Sequence, residues 1–188
     1  MLRYWGVIQS PLATSTTPTS GVTGYTPAQF TDSGQKAAAT GFTAADTLVI
    51  AAASKGGAKD ITPITSLVTY DLGKIVQRNL VVTGDLKDTY VGGLKFVGTT
   101  TPDTLVFGSA TDVNGAKVKT KISNTTVDLS AGGADTLKID GQTSVKKTTV
   151  VIDANDKIIN KKGQTFTSAD VNKNGKIKGL GGITFEVK

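Results

Sequence analysis

The chain has 188 residues, no cysteine and no histidine, a net charge of +6 and an aromatic fraction of 6%. The missing side chains exclude thiol nucleophiles, Ser-His-Asp triads, imidazole bases and nearly all zinc sites. Lysine supplies almost all of the positive charge, because Arg3 and Arg78 are the only arginines. A chain of this length forms one domain with an arm, or two small domains.

Residues 1–44 differ in composition from the rest of the chain. Residues 10–30 hold three of the five prolines and are rich in Ser, Thr and Gly, which predicts an extended arm with at most short helical turns. The apolar and aromatic side chains of this arm need a surface to dock on, either the home domain or a neighbouring subunit. The candidate partner-binding residues are Tyr4, Trp5, Val7, Ile8, Leu12, Tyr25 and Phe30.

The first residues are not typical of a targeting segment. Arg3 is the one early cation, and Gly6 and Gln9 interrupt the apolar run that follows, so we expect no secretory signal. No apolar run approaches the ~20 residues that a membrane-spanning helix needs.

From residue 45 to residue 188, short strand patterns alternate with turn residues. Ala116–Ile122 places its lysines on one face and Ala116, Val118, Thr120 and Ile122 on the other, which predicts a half-buried strand. Longer β-branched runs at 75–82 and 144–152 predict central strands. The glycine pair within 89–97 predicts a bend. The closing stretch ITFEVK predicts a strand whose inward residues are Ile183, Phe185 and Val187.

Asn-Gly and Asp-Gly pairs separate several of these runs. Asn114-Gly115 and Asp140-Gly141 each stand between two strand patterns, and such pairs favour two-residue hairpins because both residues need positive φ. Turn residues recur at roughly 8–14 residues, which predicts an all-β fold, an antiparallel β-sandwich or barrel with short hairpins. The β domain of residues 45–188 is either one unit or two small modules with a seam near residues 84–115.

Residues 43–57 fit two structures. Thr43 and Asp46 have capping-box spacing, and the alanines that follow favour a helix. However, the phrase ADTLVI at 45–50 recurs as PDTLVF at 102–107 and as ADTLKI at 134–139, where the context indicates strands. We therefore favour a strand here.

The repeated phrase has a structural and a functional interpretation. In the structural one, its Asp closes the preceding turn and its Leu faces inward as a strand begins. In the functional one, Ser130–Gly141 resembles the nonapeptide of calcium-binding β-rolls. One glycine is missing before Asp135, no copy follows nine residues later, and the three phrases are unequally spaced. We therefore expect strand entry and no metal site.

Other catalytic and binding motifs are absent or incomplete. Asp170–Gly181 resembles the start of an EF-hand loop, but Gly181 stands where the bidentate acid belongs. Glu186 is the only glutamate, most aspartates lie in turn contexts, and no Walker, dinucleotide or nucleophile-elbow motif occurs. We expect no enzyme activity and no cofactor. Scarce arginine and dispersed lysine argue against nucleic acid as a partner.

The chain resembles the small β-rich structural proteins of tailed bacteriophages, such as capsid cement or decoration proteins. The resemblance rests on the arm MLRYWGVIQSPLATSTTPTS, the turns at Asn114-Gly115 and Asp140-Gly141, and the closing strand ITFEVK. It implies a non-enzymatic virion protein, made in the host cytoplasm, that forms a trimer and binds the major capsid protein or other virion subunits through its arm. The alternatives are a tail-tube or filament subunit that exchanges strands or arms, and a secreted surface-layer or adhesin module.

Overall fold

The computed structural model describes residues 22–23, 43–45, 47–52, 63–109 and 117–188. The described residues form twelve strands, one α-helix (α1, Leu86–Thr89) and two 3-10 helices (Leu72–Lys74 and Ser168–Asp170). The strands are β1 Val22–Thr23, β2 Thr47–Ala51, β3 Val68–Asp71, β4 Asn79–Thr83, β5 Leu94–Val97, β6 Thr104–Phe107, β7 Lys119–Asp128, β8 Thr136–Ile139, β9 Gln142–Ile152, β10 Lys157–Ile159, β11 Thr165–Phe166 and β12 Ile183–Val187.

The strands form two sheets, and nearly every pair within them is parallel. The seven-stranded sheet has the order β1-β2-β4-β6-β8-β10-β11, and the five-stranded sheet has the order β12-β9-β7-β5-β3. From β2 to β10, consecutive strands alternate between the two sheets, so the chain winds as a coil that adds one strand to each sheet per turn. This is the layout of a parallel β-helix.

The predicted antiparallel all-β sandwich or barrel with short hairpins is wrong. Asp140-Gly141 is not a hairpin, because it joins β8 of one sheet to β9 of the other, and these strands pair with different neighbours. Asn114-Gly115 lies outside the described residues. Parallel neighbours need a crossover connection, and α1 lies in the crossover from β4 to β5. The fold therefore has mixed α/β character with few helices, and each sheet covers the face that helices cover in a doubly wound protein.

The core lies between the sheets and is built from side chains stacked in register. On the inner face of the seven-stranded sheet, one such column is at most 2% exposed: Leu48, Leu80, Leu105, Leu137 and Ile158. Aromatic rings join the two sheets. Phe96 of β5 stacks on Tyr70 of β3 at 5.5 Å and meets Phe107 of β6 at 5.8 Å, centroid to centroid. One hydrophobic cluster therefore extends from Leu48 to Phe185.

A second column, made of left-handed backbone, turns the corner in the four coils that contain β5, β7, β9 and β12. Asn124 in β7 has φ 52° and Lys147 in β9 has φ 48°. Gly93 and Gly182, with φ 95° and 82°, precede β5 and β12 at the same level. A Cβ on Gly182 would lie 1.9 Å from the Val145 carbonyl oxygen, so only glycine fits there.

Most predicted strands are confirmed. Residues 43–57 contain a strand, β2, and the burial of residues 117–122 alternates as predicted. The run at 144–152 lies within β9, and the run at 75–82 is strand only from Asn79, where β4 begins; both strands have neighbours on two sides. In the last strand Ile183 and Phe185 are buried as predicted, but Val187 is 50% exposed.

The C-terminal end of the coil is covered. β11 turns back and pairs with β10 in the antiparallel direction. The Phe185 N–H of β12 donates to the Gly175 carbonyl oxygen at 2.8 Å, on the side away from β9. These contacts pair main-chain groups that would otherwise be a free sheet edge.

Candidate functional site

Three buried aspartates form a column at the entrance of successive strands. Asp103, Asp135 and Asp156 immediately precede β6, β8 and β10, and their exposed fractions are 1%, 0% and 0%. The Asp156 Oδ1 atom accepts the Asp135 N–H at 3.0 Å, and the Asp135 Oδ1 atom accepts the Asp103 N–H at 2.8 Å. The carboxyls of Asp135 and Asp156 therefore each tie their own coil to the preceding one.

The outer aspartates also close the loops before them. The Asp103 Oδ2 atom accepts the Thr99 N–H at 2.5 Å, and the Asp156 Oδ2 atom accepts the Asp153 N–H at 2.8 Å. The predicted role of the phrase's aspartate in closing the preceding turn is thus confirmed for Asp103, whereas Asp135 bonds to the preceding coil instead and Asp46 lies outside the described residues. The bonds between coils were not predicted, because unequal loop lengths hide the common level of the three phrases.

Arg78 occupies the same level in the coil before Asp103. Its Nη1 atom lies 3.7 Å from the Asp103 Oδ1 atom and donates to the Leu72 carbonyl oxygen at 2.6 Å. The Nη2 atom donates to the Ile75 carbonyl oxygen at 3.0 Å. The guanidinium is therefore held mainly by main-chain carbonyls, and it neutralises one end of the column.

Burial raises the pKa of all three column carboxyls. The pKa of Asp135 rises to about 7, first because of burial and then because Asp156, Asp103 and Asp153 are also acidic; the bond from the Asp103 N–H opposes the shift. Burial likewise raises the pKa of Asp103, where the Thr99 bonds and Arg78 oppose it, and that of Asp156. Within the described part of the chain, Asp103 Oδ1 and Asp135 Oδ2 are buried without a hydrogen-bond partner.

A carboxyl with a raised pKa can act as a general acid, but a substrate must be able to reach it. The column carboxyls are enclosed and do not face a cleft. Among the residues that the structure describes, no three acidic side chains are arranged to hold a metal ion. The hydrogen bonds between coils make the column a structural element, and structural networks of buried charged groups also shift pKa values.

A cleft of about 300 Å³ lies near the C-terminal end, between the start of β9 and the loops at 160–164 and 179–181. Its polar groups are largely used within the protein. The Asn160 amide donates to Gln164 Oε1 at 2.9 Å and accepts the Lys162 N–H at 2.9 Å, and the Lys161 ammonium donates to the Thr143 carbonyl. No acidic side chain among the described residues lines this cleft.

The predicted partner-binding residues Tyr4, Trp5, Val7, Ile8, Leu12, Tyr25 and Phe30 lie outside the described residues. The described part of the predicted arm is residues 43–44 and β1, which pairs in parallel with β2, Val22 beside Thr47 and Thr23 beside Leu48. A segment of the arm therefore forms an edge of the seven-stranded sheet.

Comparison with known proteins found no matching protein family, no matching curated protein and no matching solved structure. In the described part of the chain, no helix is long and apolar enough to cross a membrane.

Proposed function

We propose that this chain is a non-enzymatic structural protein of a virion, a capsid cement or decoration protein that oligomerises and binds the assembled shell through its N-terminal arm. The observation that carries the proposal is the pairing of β1 with β2. A strand supplied by an arm binds through main-chain hydrogen bonds, which is a recurrent mode of attachment between protein segments.

The organisation of the coil supports a mechanical role. Stacked apolar columns, buried carboxyl bonds and a covered C-terminal end hold the described strands in one register. The acidic groups with raised pKa values form hydrogen bonds within this framework. None of them faces the cleft near residues 160–164. A rigid body with an attached arm suits a protein that joins subunits.

The same strand pairing favours one alternative. If β1 of one copy pairs with β2 of the next, the chain is a tail-tube or filament subunit that assembles by strand exchange. The two proposals differ in the assembly that they predict. A decoration protein forms a small closed oligomer by itself, whereas strand exchange from copy to copy forms an open polymer.

The test compares the full chain with two truncations, one lacking residues 1–20 and one lacking residues 1–23, by sedimentation velocity and negative-stain electron microscopy. We expect a closed trimer for the full chain, and loss of the trimer with nearly unchanged melting temperature when residues 1–20 are removed. The longer truncation also removes β1, and its melting temperature should fall because the edge of β2 is exposed.

Three results would count against the decoration role. Long polymers of the full chain would support the tube or filament alternative. A full chain that stays monomeric would contradict arm-mediated assembly. A melting temperature that rises with millimolar calcium would support the adhesin or surface-layer module, because a ligand that binds only the folded state raises its stability.

A further inference from the structure

Five lysines that are spread along the sequence lie together on one outer surface of the coil. We define the lysine face as Lys117, Lys119, Lys121, Lys146 and Lys147, on and beside the first halves of β7 and β9. Main-chain pairing sets Lys119 beside Gln142, Lys121 beside Ser144 and Ser123 beside Lys146. Because Val118, Thr120, Ile122 and Thr143 are buried, the alternating residues between them point to the opposite, outer side.

The lysine face is a line of charges. Residues two apart on a strand are separated by about 6.6 Å, so Lys117, Lys119 and Lys121 form a row along β7. Lys146 continues the row at the Ser123 level, about 4.8 Å to the side on β9. Lys117, Lys119, Lys146 and Lys147 are exposed, and none of the four makes an ion pair with a described residue.

Acidic groups near this surface are few and already paired. Asp85 is 3% exposed and binds the Lys121 ammonium. Asp88 on α1 lies 3.4 Å from Lys87. Other outer surfaces differ. The outer residues of β2, β4 and β6 described in the structure are uncharged. Beyond Asn124 and Lys147, the outer side of the five-stranded sheet carries both signs of charge, namely Asp71, Asp128 and Glu186 together with Lys95.

We propose that the lysine face binds an acidic polysaccharide. Ammonium groups in a row pair with the sulfates or carboxylates of a linear chain. The hydroxyl groups of Ser123 and Ser144 and the amide of Gln142 lie among the lysines and can bond sugar hydroxyls. Nucleic acid is the less suitable partner, because single-strand sites stack bases on aromatic rings and Tyr70, Tyr90 and Phe96 are buried.

The test measures binding of a fluorescent heparin oligosaccharide to the full chain and to two double variants of equal charge. The face variant is Lys119→Gln with Lys146→Gln. The control variant is Lys157→Gln with Lys173→Gln, which removes two exposed lysines from other surfaces. We expect the affinity of the face variant to fall about three- to tenfold, because two exposed ion contacts are lost. The affinity of the control variant should fall by less than half of that factor.

The salt dependence gives a second readout. The slope of log affinity against log salt should fall in the face variant, because fewer counterions are released, and stay the same in the control. Equal losses in both variants would overturn the proposal, since net charge alone would then explain binding. A labelled DNA duplex that binds more tightly than heparin and loses affinity in the face variant would assign the face to nucleic acid. The inference does not depend on the proposed virion role.

Discussion

At the residue scale, the three aspartates of the column bind protons more tightly in the folded chain than in the unfolded chain. The folded state raises the pKa of Asp135 from 3.8 to about 7, so between these two pH values the folded chain binds more protons than the unfolded chain. The free energy of unfolding therefore decreases as pH rises from about 4 to about 7. Asp103 and Asp156 shift in the same direction and add to the slope.

The variant Asp135→Asn should weaken this pH dependence. Its side-chain oxygen can still accept the Asp103 N–H, while the buried charge is removed. We expect the melting temperature to be nearly unchanged at pH 4.5 and higher than that of the natural chain at pH 8, by a stability gain on the order of 3 kcal/mol. Thermal unfolding followed by circular dichroism from pH 4.5 to 8.5 measures the effect.

Asp140 provides a control of opposite sign. Its pKa is lowered by hydrogen bonds from Lys138 and from the Gly141 N–H. A lowered pKa contributes stability above the unfolded-state value of 3.8, and that stability is lost as pH falls. Asp140→Asn should therefore lower the melting temperature at pH 8. An Asp135→Asn variant that behaves like Asp140→Asn would contradict the column's role.

At the element scale, the column of left-handed backbone at Gly93, Asn124, Lys147 and Gly182 determines whether consecutive coils can stack at the same spacing. Gly182 combines φ 82° with a site where a Cβ would lie 1.9 Å from the Val145 carbonyl oxygen. Gly181, one residue earlier, has open space around its Cβ position and no positive φ. Position 182 thus requires glycine, whereas position 181 has room for a side chain.

Substitution by alanine should separate these two glycines. Gly182→Ala should destabilise the chain by about 2–4 kcal/mol, because backbone strain adds to a steric conflict with main chain. Gly181→Ala should change stability by less than about 1 kcal/mol, since alanine restricts the unfolded chain without strain in the fold. Denaturant titrations measure both, and similar losses in the two variants would show that the corner is not sterically fixed.

The strands themselves could be predicted from the sequence, but their directions could not. Alternation between Lys119 and Thr120 reports burial on one strand, which is local information. Asp140-Gly141 has the residue types of a hairpin turn, yet its φ of 53° at Gly141 serves a turn between sheets. Turn chemistry reports local backbone angles and does not identify the pairing partner, which is set by packing across the core.

For the candidate site, too, the local structure could be predicted from the sequence, but the contacts between coils could not. The recurrence of Asp-Thr-Leu was visible, and its interpretation as strand entry is confirmed. Its unequal spacing was an argument against a calcium-binding β-roll, and the stacking of the phrases was not predicted. Asp103 and Asp135 nevertheless lie at one level in neighbouring coils. Loops on a coil can change length without altering the strands, so a constant period is not required.

At the scale of the whole molecule, stability should decrease from the middle of the coil towards its ends. Interior strands such as β6, β7 and β9 pair with neighbours on both sides, whereas β3 and β11 end their sheets among the described residues. In stacked architectures each unit is held mainly by its neighbours, so the ends open at lower free energy.

Hydrogen exchange measured by mass spectrometry tests this order. Peptides covering β7 and β9 should exchange at least about tenfold more slowly than peptides covering β3 and β11, because local opening costs more where two neighbours must separate. The pairing of β11 with β10 spans only two residue pairs, which makes it the expected site of early opening. Uniform protection across the four strands would instead indicate one all-or-none unit.

The reversed direction of β11 limits how such a protein can lengthen over evolutionary time. A duplicated coil appended after β10 would meet a strand that runs the opposite way, so it could not continue the parallel sheet there. New coils can still be inserted between existing ones, where each must bring its own inward aliphatic residue and a polar residue at the level of Asp103 that contacts a neighbouring coil, as Asp135 and Arg78 do. Homologues of different length should therefore share the C-terminal end and differ by whole coils before it.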